Sequence, residues 1–250
     1  MTKPGALIIT GASRGIGAAT ARLAAERGYS VCINYKSAKQ QADALVTELE
    51  AAGGKAIAVA ADVSVEADVV RLFKTCDERL GKLVGLVNNA GILGKQARVD
   101  QLDAARINRT LATNVVGAFI CAREAVLRMS TKRGGNGGAI VNISSAASRI
   151  GGPGEYVDYA ASKGAIDTFT IGLAKEVADE EIRVNCVRPG VIYTEIHASG
   201  GEPNRVDRVK EFVPMKRGGT AEEVAHAILW LLSDEASYTT GAFIDVTGGR

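Results

Sequence analysis

Seven short apolar, β-branched segments, at 6–10, 30–34, 56–60, 83–87, 139–143, 183–187 and 242–246, recur along the chain. Between them lie stretches with apolar residues at three- and four-residue spacing, at 18–27, 39–52, 66–80, 111–129, 159–176 and 221–232. Strand and helix therefore alternate. Alternation of this kind predicts an α/β fold with a doubly wound parallel sheet of about seven strands and helices on both faces, because right-handed crossovers leave few other topologies. The glycine-rich segment 133–138 reads as a turn, since both neighbours carry the same pattern. With 250 residues, 46% of them hydrophobic, the chain can bury one substantial core, and 1–250 is expected to be a single domain.

Lys and Arg number 30 against 28 acidic residues. The resulting +2 is too small to argue for a nucleic-acid partner, and no basic run carries interleaved aromatics. Cys32, Cys76, Cys121 and Cys186 form no CxxC and have no His cluster near them. Buried reduced thiols in a cytoplasmic protein are expected, and no metal site. The apolar stretch near the N-terminus is too short for a signal sequence, and no later run approaches a membrane span, so neither export nor a membrane partner is expected.

Directly after the first strand comes Thr10-Gly11-Ala12-Ser13-Arg14-Gly15-Ile16-Gly17, then an Ala-rich helix. Glycines at a strand-to-helix junction let the backbone approach a pyrophosphate, and the helix start offers free N–H groups and partial positive charge. The spacing is GxxxGxG instead of the common GxGxxG, but its place on the first βα junction marks a Rossmann-type dinucleotide cradle. NAD enzymes usually carry an acid at the end of the second strand. Here the strand ends Asn34-Tyr35-Lys36-Ser37, and Arg14 and Lys36 are available to a 2′-phosphate, which points to NADP(H). Two charge-assisted hydrogen bonds of about 1.5–3 kcal/mol each would give a preference on the order of a hundredfold. Solvated surface is the plain alternative for Lys36, and a cover over the helix for Arg14. Asp62-Val63 follows the third strand, where Asp62 either accepts from an adenine amino group or opens the next helix with Ser64.

Tyr159 and Lys163 stand four apart, on one face of a predicted helix. A positive charge about 5 Å from a phenol, at an effective dielectric near 20, is worth roughly 3 kcal/mol, so the phenol is expected about two pKa units below its ordinary value of about 10. That would make a usable proton donor at neutral pH.

Thr10 to Gly17, Asn88-Asn89-Ala90-Gly91, Asn114, Asn142-Ile143-Ser144-Ser145, Tyr159 to Lys163 and Pro189-Gly190 together resemble the short-chain dehydrogenase/reductase family, over nearly the whole chain and in the family's order. Within it the chain is most similar to bacterial NADP-dependent glucose or ribitol dehydrogenase-like oxidoreductases, through the segments 152–158 and 193–201. The resemblance implies Tyr159 as acid/base, Lys163 as the group that lowers its pKa and bonds the nicotinamide ribose, and Asn114 as holder of a water joining Lys163 to solvent. Ser145, the second serine of the pair, is taken to hold the substrate oxygen, with Ser144 as the alternative. The slightly long interval from Ser145 to Tyr159 suggests a bulged loop at 151–154. Asn89, Ala90 and Gly91 would follow the adenosine ribose and pyrophosphate. Pro189, Gly190, Ile192 and Thr194 would flank the nicotinamide. A homotetramer is implied as well.

A substrate lid is expected at about 191–215, where Glu195, His197, Glu202, Arg205 and Asp207 could meet the hydroxyls of a sugar or polyol, or simply face water. The expected substrate is a small carbonyl compound or secondary alcohol. Two other readings stand beside this one: a 3-oxoacyl carrier-protein reductase, with Arg98, Arg106, Arg109, Arg128, Lys132 and Arg133 as a docking face for an acidic carrier, and a non-catalytic NADP sensor.

Overall fold

A computed structural model describes residues 5–250. All seven strands form: β1 (Ala6–Ile9), β2 (Ser30–Tyr35), β3 (Lys55–Ala60), β4 (Leu83–Asn88), β5 (Gly138–Ile143), β6 (Ile182–Pro189) and β7 (Phe243–Val246). They pair in parallel in the order β3-β2-β1-β4-β5-β6-β7. The chain winds outward from β1 to β3, then returns beside β1 at β4, so the connections leaving β1 and β4 diverge and open a crevice at their carboxyl ends.

The helices are α1 (Gly15–Glu26), α2 (Lys39–Ala51), α3 (Glu66–Leu80), α4 (Ala104–Leu111), α5 (Gly117–Met129), α6 (Ala147–Ile150), α7 (Val157–Glu176), α8 (Ile196–Ser199), α9 (Arg205–Val209) and α10 (Ala221–Leu232). Period-two alternation sorts the strand side chains into two cores. Leu7, Ile9, Val31 and Ile33 pack with the alanines of α1 and with Val224, Ile228 and Leu232 of α10. Ile8, Cys32 and Ile140 pack on the other face with Leu72 and Phe73 of α3 and Cys121 and Met129 of α5. Each such Leu, Ile or Phe, taken fully out of water, contributes about 1.5–3 kcal/mol.

Two local features differ from the expectation. α4 precedes the predicted helix at 111–129 and joins it through a π turn, Ala112–Val116, that holds Asn114. Its start is set by Asp103, whose carboxylate accepts from the Arg106 N–H at 2.6 Å as an N-cap. The resulting helix, Ala104–Met129, is 26 residues long and, contrary to the expectation, is long and apolar enough to cross a membrane. In this fold it lies against the sheet, with Cys121, Ala122, Ala125 and Met129 in the core and Arg106 paired to Asp158 on α7.

Asn34, expected at the cofactor, is 2% exposed and ties the glycine loop to the sheet. Its Oδ1 accepts from the Gly11 N–H at 3.1 Å, and its Nδ2 donates to the Ala61 carbonyl at 3.0 Å. Asn34→Ala leaves both backbone groups without this partner, at a cost of about 1–3 kcal/mol. A thermal melt is expected to drop by several degrees; an unchanged melting temperature would show that the clamp contributes nothing.

Candidate active site

The three glycines of the first βα junction have different reasons. Gly11 and Gly15 sit at φ +61 and +57, where other L-residues are strained. At Gly17 a Cβ would come within 2.6 Å of Asn89 Nδ2 and 2.7 Å of Ala12 Cα, so only glycine lets α1 start this close to the loop. The Asn89 amide donates to the carbonyls of Thr10 at 2.8 Å and Gly11 at 3.1 Å, and Thr10 Oγ1 accepts from the N–H groups of Asn89 and Ala90. Asn89 thus shapes the cradle. The first turn of α1 has no side-chain cap and no acidic residue, which leaves its N–H groups and partial positive charge for an anion.

A cavity of about 910 Å³ opens over this loop and reaches α7. It is bordered by Gly11, Ser13, Arg14, Gly15 and Ile16 of the loop, and by Asn34, Tyr35, Lys36, Ser37, Asp62 and Val63 beyond β2 and β3. Asn89, Ala90 and Gly91 after β4 and Pro189, Gly190, Ile192 and Thr194 after β6 complete that wall. Of the site residues expected from sequence, Gly17 and Asn114 lie behind the wall and do not line it. Lys36 rests on Asp62 at 2.6 Å, and Asp62 Oδ1 also accepts from the Ser64 N–H and hydroxyl, an Asx turn ahead of α3. Burial acts to raise the Asp62 pKa, but hydrogen bonds from Lys36 and Ser64 outweigh it and hold the carboxyl below its usual range. Arg14 is exposed at the loop and its Nη2 lies 3.4 Å from Ser199 Oγ on α8.

At the far end Tyr159 sits in the first turn of α7, the Lys163 ammonium 5.6 Å from its ring centroid. The expected acidification of the phenol is not found. Burial pushes Tyr159 up to about 12, with a Ser145 hydrogen bond acting downward. Burial also pushes Lys163 down to about 8, against the raising influence of Cys186 and Asp167. The reason is desolvation: Lys163 is 4% exposed and donates to the Ile143 carbonyl at 2.7 Å, so attraction between the two side chains does not offset loss of water around them.

The two serines separate clearly. Ser144 is buried and its hydroxyl donates to the Lys163 carbonyl at 3.1 Å. Ser145 borders the cavity, and its Oγ accepts from the Ala147 N–H at 3.1 Å, leaving its proton to point at Tyr159 or at a substrate oxygen. Asn114 is a clamp. Its Oδ1 accepts from the Ile92 N–H at 2.8 Å while Nδ2 donates to the Ile92 carbonyl and to Ser162 Oγ, so its side chain is fully committed within the protein. The loop at 151–154 bulges as expected, with Gly151, Gly152 and Gly154 all at positive φ.

The polar residues of the expected lid divide. Glu195, His197 and Arg205 border the cavity. Asp207 instead accepts from the Tyr193 hydroxyl and pairs with Lys210, and Glu202 pairs with Arg205 and Arg208. Burial holds His197 below its usual pKa; Nε2 lies 3.0 Å from the Ile192 carbonyl, which can only accept, so Nε2 carries the proton. Of the six cations of the expected carrier-docking face, Arg106 forms a bidentate pair with Asp158 on α7 and Arg128 pairs with Asp77 and Glu124, so that both are engaged within the fold. Sequence reading missed Glu155, Tyr156 and Arg208, which also line the cavity. It missed the role of Asp158 too, although that acid directly precedes Tyr159.

The family model described as enoyl-(acyl carrier protein) reductase matches residues 11–250. The chain is 62% identical to an uncharacterized oxidoreductase, YgfF, of Escherichia coli (strain K12), over 97% of this chain and 98% of that one. It is 40% identical to glucose 1-dehydrogenase 2 of Bacillus subtilis (strain 168), over 97% and 93%. A mutant of a Serratia marcescens short-chain dehydrogenase/reductase superposes with a TM-score of 0.90 at 32% identity, covering 98% of this chain and 97% of the other. The chain belongs to the short-chain dehydrogenase/reductase family. It is thus an oxidoreductase of a family that uses a nicotinamide cofactor, and the crevice at the β1/β4 switch point is where such a fold binds it.

Ser145→Ala is expected to lower turnover about a hundredfold with little change in melting temperature. Ser144→Ala is expected to do the reverse, lowering stability by about 1 kcal/mol with modest kinetic effect. Equal kinetic losses in the two variants would contradict the assignment.

Proposed function

We propose that the chain is an NADP(H)-dependent oxidoreductase that transfers a hydride between the nicotinamide and a carbonyl or secondary alcohol, with a sugar or polyol as the preferred class. The observation that carries this reading is one cavity with Ser145, Tyr159 and Lys163 at one end, Arg14 and Lys36 at the other, and no acid at the end of β2. The uncapped start of α1, the glycines at positive φ and the cavity volume fit a dinucleotide. When bound, the nicotinamide cofactor supplies or accepts the hydride.

The remaining chemistry is done by the chain. Ser145 donates its free proton to the carbonyl oxygen and fixes its position. Tyr159, raised to about 12, is protonated at neutral pH and gives its proton to that oxygen as negative charge develops. In the reverse direction it takes the proton of the alcohol. The start of α7 and the Lys163 ammonium both favour the phenolate once it forms. Asn114 holds the π turn against Ser162, one residue before Lys163, and Asn89 to Gly91 and Pro189 to Thr194 line the cavity as the walls that would hold the cofactor.

Lys36 and Arg14 are the proposed 2′-phosphate ligands. The Lys36 side chain is 69% exposed, and an exposed ion pair of the Lys36–Asp62 kind is worth about 0–1 kcal/mol, so a dianionic phosphate competes for it readily. Residues 191–215 act as the substrate lid. The half-exposed Val116 of the π turn, Phe119 and Leu127 of α5 and Ile171 of α7 suit burial between subunits of a homotetramer. The four buried free cysteines suit a reducing cytoplasm.

A 3-oxoacyl carrier-protein reductase is the second reading, favoured by a 38%-identical Synechocystis relative of that name that covers 97% of this chain. NADPH consumption with a 3-oxoacyl thioester against a sugar and ketone panel separates the two, and any turnover excludes a cofactor sensor. In a thermal-shift assay NADPH is expected to stabilise the protein more than NADH, and Arg14→Ala and Lys36→Ala each to reduce that preference about tenfold or more. Equal stabilisation by the two cofactors would overturn the assignment of both cations.

A further inference from the structure

Between the segment just after the loop at 151–154 and the lid, two glutamates and two arginines form a closed clasp. Arg205 reaches Glu155 at 2.5 Å and Glu202 at 3.1 Å, one nitrogen to each. Arg208 also binds both, Glu155 at 3.2 Å and Glu202 through Nε. Gln96, from the segment after β4, donates to Glu202 at 2.7 Å and to Glu155 at 3.3 Å. The Arg205 guanidinium also lies 4.8 Å from the ring centroid of Tyr156. Glu155, Tyr156, Arg205 and Arg208 border the cavity, whereas Glu202 and Gln96 stand behind them.

We propose that this clasp is the specificity device of the substrate pocket and that, by balancing its two positive charges with two negative ones, it admits uncharged polar carbonyl compounds and rejects those bearing a carboxylate or phosphate. The inference rests on the oxidoreductase reading of the same cavity. A pocket wall with two arginines ordinarily reads as an anion site. Here each guanidinium already has two carboxylate partners, and only 13% of the Arg205 side chain is exposed. Arg205 foremost holds Glu155, and Arg208 foremost holds Glu202, below the usual carboxylate range, so both acids are charged at neutral pH and the wall is neutral overall. An anionic substrate must displace a carboxylate that stays beside it as a like charge. An uncharged substrate meets a wall of fixed donors and acceptors and displaces nothing. Arg14, Lys36 and Asp62 sit apart, with the cofactor loop and the ends of β2 and β3, as does Glu195, whose carboxylate lies against Gly15.

The test uses one carbon skeleton in two charge states, ethyl acetoacetate and acetoacetate, with NADPH oxidation followed by absorbance. Wild-type enzyme is expected to favour the ester in kcat/KM by at least tenfold. Glu155→Gln leaves two arginines to one glutamate and is expected to cut that ratio at least tenfold, mainly through a lower KM for the acid. Arg205→Gln makes the wall net negative and is expected to move the ratio the opposite way. A clasp that only held the lid shut would slow both substrates alike in both variants. That result, or a wild-type preference for the acid, would overturn the proposal while leaving the oxidoreductase reading in place. Failure of the wild type to oxidise NADPH with any carbonyl compound would overturn both.

Discussion

Lys163 carries its charge in a place where almost no water reaches it, with the Ile143 carbonyl as the one hydrogen-bond partner of its ammonium among the described residues and the ring of Tyr159 within 6 Å. Burying a charge is costly unless the surroundings hold it in place, and much of the architecture near α7 has that effect. The pair of Arg106 and Asp158, 15% and 3% exposed, anchors the first turn of α7 to α4. The π turn lets Asn114 reach both Ile92 and Ser162. Ser144 ties the Lys163 backbone to the end of β5. Removing any one of these leaves a buried polar group without its partner, so the site is rigid because its alternatives are expensive.

The polar chain continues into the sheet. Asn88 Nδ2 donates to Asn142 Oδ1 and Asn142 Nδ2 to Thr170 Oγ1, both at 2.9 Å, linking β4, β5 and α7 between the two ends of the active cavity. The glycine loop, held by Asn34 and Asn89, and α7 are thus mounted on one sheet, after β1 and β5, the two strands that flank β4. The segment 202–208 is different in kind: it is held to Glu155 by side-chain ion pairs, which are partly exposed and can exchange partners with less cost than a buried network.

The strand positions were legible because short runs of β-branched residues bounded by turn signals are suited to a sheet covered on both faces, and all seven formed within a few residues of their expected ends. α4 was harder to read because it is only eight residues long, although Ala104, Ile107 and Leu111 recur at helical spacing and Asp103 marks its start. The glycine loop and the Tyr159–Lys163 pair could be read because their chemistry is local in sequence. The clasp could not be read that way: Gln96, Glu155 and Arg205 are far apart in the chain, and only the fold sets them against one another. The expected acidic phenol failed for a related reason. Sequence supplies the charge of Lys163 but not its burial, and burial dominates both groups.

On this reading the Tyr159 hydroxyl transfers the proton that accompanies hydride transfer. Kinetics of Tyr159→Phe, with NADPH binding measured on the same protein, test it most directly. Turnover about a thousandfold lower, with NADPH affinity and melting temperature near wild type, is the expected result; undiminished turnover would contradict the account.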